Sequence, residues 1–140
     1  EAKANIETRV KEDMTPLALA AQNDRISCLK ILIDAKADIE AKDKEYGFTP
    51  LDRAIVHDHY ECAQALINAK ANINHEAGFQ TPLAYAAMKG RVEVIRVLVE
   101  ANASVDQCMP TPLMRAAIAG HHNAIRALLE AMLKQYGRGI

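Results

Sequence analysis

The chain has 140 residues, 50% of them hydrophobic and 25% charged, with a formal net charge of −1. That balance offers no general attraction to phosphate and argues against nucleic-acid binding. No apolar run approaches a membrane span, and the odd count of three cysteines forms no small-domain disulfide pattern.

The opening stretch, EAKANIETRVKED, lacks the charged and apolar regions of a secretory signal. Together with the cysteine usage it leads to the expectation of a reducing, cytoplasmic setting. The first helix signal follows at Thr15, and it recurs: Thr-Pro-Leu stands at Thr15, Thr49, Thr81 and Thr111. Thr is a good N-cap, and Pro at the first helical position gives up an N–H that has no partner there anyway. Counted from each Thr, everything downstream falls into register. Position two is Leu17, Leu51, Leu83 and Leu113; position five is Ala20, Ala54, Ala86 and Ala116; position seventeen is Leu32, Leu66, Leu98 and Leu128. The clearest copy, Thr81 to Asp106, reads as a short helix, a break at Gly90, a second helix from near Val92 to about Ala101, and a turn with an extended tail. Tails recur as AKADIE, AKANIN and ANASVD.

TPLxxAA, an apolar helix and an AxAxIN-like tail at about 33 residues resemble the ankyrin repeat. The resemblance implies an all-α solenoid of stacked helix pairs with projecting β-hairpin fingers, whose fingers and first helices line a concave groove. On this register the chain is one domain: 1–13 the tail of a truncated preceding repeat, 14–46 repeat one, 47–78 repeat two, 79–108 repeat three, and 109–140 repeat four with a C-terminal cap. Ala2 to Ile6 match Ala35 to Ile39, so the natural array is expected to extend further toward the N-terminus. At the other end, HNAIRALLEAMLKQYG stays helical to about Tyr136 where a tail belongs, with Gly137 as its stop and Arg126, Lys134 and Gln135 as a polar cap; repeat four is expected to be the last.

The chain departs from the family pattern at several places. The family's TPLH histidine is Ala18, Asp52, Ala84 and Met114, which removes that source of hydrogen bonds. The break before the second helix is Asp24, Asp58, Gly90 and Gly120, and the turn glycine of the tail is Lys36, Lys70 and Asn102. A left-handed non-glycine residue costs roughly 1–2 kcal/mol, so the stability is expected to be modest. The last finger, DQCMP, is the shortest.

Chemistry is hard to find. His57 with His59, and His121 with His122, lack the convergent ligands of a metal site; they read as surface residues at helix boundaries. Cys28 and Cys62 share a register position and read as small core residues, whereas Cys108 in the short finger reads as an exposed thiol. No phosphate-cradling loop and no nucleophile–base pair stands out. No enzyme, cofactor or metal is expected.

The outward side of the first helices is where function is expected. At 100° per residue, positions two, five, six and nine form the core side and positions four and seven point away, flanked by three and eight. The outward set is Arg53, Val56 and His57 in repeat two, Tyr85, Met88 and Lys89 in repeat three, and Met114, Arg115 and Ile118 in repeat four. Fingers add Tyr46, Phe48 and Phe79. Apolar, aromatic and Arg side chains together have the composition of an interface centre. The expected function is binding of another protein, one offering acidic groups beside an apolar anchor, by a monomeric module. Two other readings exist: a targeting domain of a larger enzyme or of a secreted bacterial effector acting in host cytosol, and a substrate for hydroxylation at Asn74, the only tail residue of its register that is Asn.

Overall fold

The computed structural model describes residues 5–9, 13–78 and 80–137. Each Thr-Pro opens an inner helix: α1 (Pro16–Gln22), α3 (Pro50–Val56), α5 (Pro82–Lys89) and α7 (Pro112–Ala119). The Thr hydroxyl accepts the N–H three residues on, at 3.3 Å from Ala18, Asp52 and Met114 and 3.2 Å from Ala84. In α3 the Asp52 carboxylate also accepts the Thr49 N–H at 2.9 Å, closing a capping box. A residue at the position of the family's histidine thus still bonds, within its own repeat.

Each inner helix ends in a residue with positive φ: Asp24 at 56°, Asp58 at 61°, Gly90 at 70° and Gly120 at 77°. This corrects the expected core place of position nine, since the helix has already stopped and Asp24 and Asp58 are exposed. The outer helices follow as α2 (Ile26–Asp34), α4 (Tyr60–Asn68), α6 (Val92–Glu100) and α8 (His122–Tyr136). Lys36, Lys70 and Asn102 stop the first three, with φ of 66°, 72° and 66°. Behind each, the next N–H reaches back to the helix: Ala37 to Leu32 O at 3.1 Å, Ala71 to Leu66 O at 3.0 Å and Ala103 to Leu98 O at 2.9 Å. This is the Schellman arrangement. In repeat four no such residue intervenes, and α8 runs on to Tyr136 with Gly137 after it.

The chain divides into two compact units, 1–72 and 73–140. In the first, α1 packs on α3 and α2 on α4; in the second, α5 packs on α7 and α6 on α8. Alanines at position five, all buried, let inner helices approach closely. Leu17, Leu29, Leu51 and Leu66 fill the first core, and Leu83, Ile95, Leu98 and Leu128 the second.

The fingers are tight turns. No strand forms among the described residues; Asp43 N–H donates to Phe48 O at 2.9 Å, and Ala77 and Gln80 make an isolated antiparallel bridge. The fingers are too short for a ladder. Successive tails are instead tied by side chains. Glu40 Oε1 accepts the Asn72 N–H at 2.7 Å and Asn74 Oδ1 the Ser104 N–H at 2.8 Å. Glu7 Oε1 accepts the Asp38 N–H at 2.7 Å, so Asn5 to Arg9 hold the register of a tail. Ala2, Lys3 and Ala4, part of that match, lie outside the described residues.

These turns set a sign test. The strain at Lys36 and Lys70, roughly 1–2 kcal/mol each, exceeds the entropic cost of glycine, about 0.5–1 kcal/mol. Lys36→Gly and Lys70→Gly together are expected to raise the midpoint of thermal unfolding by a few degrees. Gly90→Ala is expected to lower it, because φ is positive there and a Cβ would stand 2.7 Å from His121 Nδ1. Calorimetry on the three chains decides both signs.

Candidate functional site

In the first unit the finger is organised by Asp43, which is 5% exposed. Its Oδ1 accepts the N–H groups of Tyr46 at 2.8 Å and Gly47 at 3.1 Å, and Oδ2 accepts Arg53 Nε at 3.0 Å and Nη2 at 2.7 Å. Arg53 Nη1 donates to Gln22 Oε1 at 3.2 Å. Arg53, expected to face a partner, is buried and neutralised by Asp43. Its guanidinium lies 5.8 Å from the Tyr46 ring centre and 5.5 Å from that of Phe48, and the two rings stack at 5.2 Å. Tyr46 is thereby fixed on one side, yet 54% exposed. Phe48 is half-buried beneath it.

Farther along α3, Val56 is half-buried and His57 exposed. His57 stacks at 6.0 Å on His59, whose Nδ1 lies 3.0 Å from Ala21 O. Donating there, His59 ties repeat two to repeat one and is more than a surface residue.

The second unit carries the other expected residues. Tyr85 and Met88 are half-buried on α5, and the Lys89 ammonium sits 5.8 Å from the Tyr85 ring centre. Arg115 on α7 is half-buried and donates from Nε to Pro110 O at 3.2 Å. Met114 differs from its register mates: Ala18, Asp52 and Ala84 are all buried, but Met114 is 47% exposed. On α7, Ile118, 80% exposed, and Ala117, also exposed, lie one turn from Met114. Phe79 lies outside the described residues. The eleven expected residues that are described therefore fall into sets: an aromatic finger with α3 in the first unit, and the α5 face and the α7 edge in the second.

The cysteines sort differently from expectation. Cys62 is buried, its Sγ 3.6 Å from Asp24 Oδ1, and loss of solvent followed by the Asp24 carboxylate pushes its pKa up to about 11. Cys28, its register mate, is exposed. Among the described residues α2 packs on α1 and α4 and on no earlier helix. Cys108 is buried, its Sγ 3.8 Å from Thr81 Oγ1, because the short finger folds back onto the α5 cap. No group of three His, Cys, Asp or Glu residues suited to a metal occurs among the described residues. Asn74 is engaged at both oxygens, its main-chain O accepting from Gln107 Nε2 at 2.6 Å.

The family model for ankyrin repeats in three copies matches residues 1–77 and 75–137. The chain belongs to the ankyrin-repeat family. None of the curated proteins matches it. Ankyrin repeats are in general protein–protein interaction modules and typically non-catalytic. In this ankyrin chain the residue that sequence reasoning missed is Asp43, which in KDKEYGF looks like one more solvated charge. The signal lay in the turn, an Asp three residues before Tyr-Gly-Phe, where a carboxylate can collect successive N–H groups.

Two outcomes follow. Asp43→Ala leaves a buried guanidinium without its carboxylate and is expected to cost about 3–5 kcal/mol in urea unfolding, much of it regained when Arg53→Met is added. In the native protein a thiol reagent at pH 8 is expected to label Cys28 rapidly, with Cys62 and Cys108 reacting only on unfolding.

Proposed function

We propose that this chain is a binding module without chemistry of its own, which holds another protein against its fingers and inner helices. Tyr46 carries the reading. A large aromatic ring is held rigid by Phe48, Arg53 and Asp43 and still offers more than half its surface to solvent. Such a ring loses little entropy on binding, the property of an interface anchor. Phe48, Val56 and His57 extend this surface in the first unit, and Tyr85, Met88, Lys89 and Arg115 form a second one on α5 and α7. Lys89 and Arg115 are its cations, and α5 and α7 contain no Asp or Glu, which favours a partner with carboxylates beside an apolar anchor. Arg53 acts through the finger it holds.

The test is capture from native lysate by wild type, by Tyr46→Ala with Tyr85→Ala, and by Glu93→Ala on the outer helix α6. The expected result is a set of proteins retained by wild type and Glu93→Ala but lost with the two Tyr changes, each ring supplying at least about 2 kcal/mol. A folded double variant that retains the whole set overturns the assignment.

A further inference from the structure

Two arginines stand at position four of their repeats, and the fold supplies them differently. Asp43 Oδ2 accepts from Arg53 Nε at 3.0 Å and from Nη2 at 2.7 Å, and Gln22 Oε1 accepts from Nη1 at 3.2 Å. Asp43 belongs to the finger of the same repeat, and Gln22 is position seven of the repeat before. With the rings of Tyr46 and Phe48, these are the side-chain partners of Arg53, and none comes from a later repeat.

Arg115 has the same two sources, both inside the second unit, and neither gives it a carboxylate. Its finger offers one main-chain acceptor, Pro110 O, 3.2 Å from Nε. Asp106, the acid of that finger, accepts the Ser104 hydroxyl at 3.2 Å instead. Position seven of the repeat before is Met88, whose thioether is only a weak acceptor. The Nη1 and Nη2 groups of Arg115 meet no acceptor among the described residues, and neither Arg115 nor Lys89 enters an ion pair there. Around the fork the surface is apolar and cationic. Tyr85 and Met88 are half-buried on α5, which packs on α7, and neither helix contains Asp or Glu.

We infer that Arg115 is the specificity-determining residue of the second unit, and that its fork takes an Asp or Glu side chain of the partner protein in the role that Asp43 fills for Arg53. The inference rests on the binding function proposed above and names the group that is read. A guanidinium pairs with a carboxylate through two parallel N–H···O bonds, a geometry that a neutral acceptor does not match in strength. Pro110 O holds Nε, so the plane of the fork is set beforehand and less entropy is lost when a carboxylate arrives. Tyr85 and Met88 beside it call for an aliphatic or aromatic residue next to the acid. Arg53 cannot read an acid in this way, since it is buried and already neutralised. The acid requirement therefore belongs to the second unit alone.

The probe is a phage-displayed library of random peptides selected on the wild-type chain. Enriched sequences are synthesised with an amidated C-terminus, each also with its acid changed to the amide, Glu to Gln or Asp to Asn. Their affinities are measured by titration calorimetry on wild type, Arg115→Met and Arg115→Lys, with circular dichroism as the check on folding. On wild type the change from acid to amide is expected to weaken binding at least about tenfold. On Arg115→Met the same change is expected to alter affinity by no more than about twofold. Arg115→Lys is expected to fall between them, because a point charge replaces the fork. Enriched peptides without an acid overturn the proposal, as does an acid whose loss costs as much on Arg115→Met as on wild type. A selection that enriches nothing on wild type overturns it too. Lysate capture that depends on Tyr46 and Tyr85 but is unchanged by Arg115→Met leaves the binding function standing and removes only this specificity.

Discussion

A helix of seven to nine residues, the length of every helix here except α8, is too short to persist in water by itself. It survives only if it is stopped, reversed and laid against another before its apolar face meets solvent. In this chain the stopping is done by single residues with positive φ, twice in each of the first three repeats. Gly90 and Gly120 adopt that conformation without strain. Asp24, Asp58, Lys36, Lys70 and Asn102 do so against their intrinsic preference, and the packing of the helices holds them there. The backbone at those points is set by the stack, and the stack is possible only because the backbone turns there.

What joins repeat to repeat is polar and local, on top of the aliphatic contact. His59 reaches Ala21 O, and Glu40 and Asn74 reach the N–H of the tail that follows their own. These bonds satisfy main-chain groups that the turns leave outside any helix or sheet. They do the work that a strand ladder does in longer hairpins, and so the fingers keep their order without strands. They also engage the Asn74 side chain within the fold.

Nearly all of the repeat architecture was legible in the sequence, because it rests on local chemistry repeated in register. Thr-Pro starts, left-handed stops and apolar positions are each readable from a few neighbouring residues, and α8 could be followed to Tyr136 because nothing in it stops a helix. The candidate site was less legible, and for one physical reason. Outward direction on a helical wheel does not say what lies above the residue. Arg53 points away from the core of its own repeat and is buried anyway, by a finger whose Asp43 is ten residues earlier and whose rings close over it. Met114 occupies a position buried in the other repeats and is exposed. Cys62 is covered where it meets Asp24 of the repeat before, while Cys28 at the same register position is exposed.

Burial in a repeat stack is therefore a property of neighbours as much as of residues, and this distinguishes two kinds of apolar exposure in the chain. Tyr46 is exposed with its own repeat complete around it: its ring is stacked, its finger bonded, and its outward face has no place in the stack. Ile31, Ile118 and Leu129 are exposed as well, at register positions whose counterparts are half-buried or buried: Ala65, Val97 and Ala127 for Ile31, Gln22, Val56 and Met88 for Ile118, and Ile33, Ile67 and Val99 for Leu129. The first kind suits recognition of another protein, since the ring is held rigid before anything binds it. The second kind depends on which neighbours the register supplies and carries no recognition by itself, so partner binding is assigned to the aromatic finger.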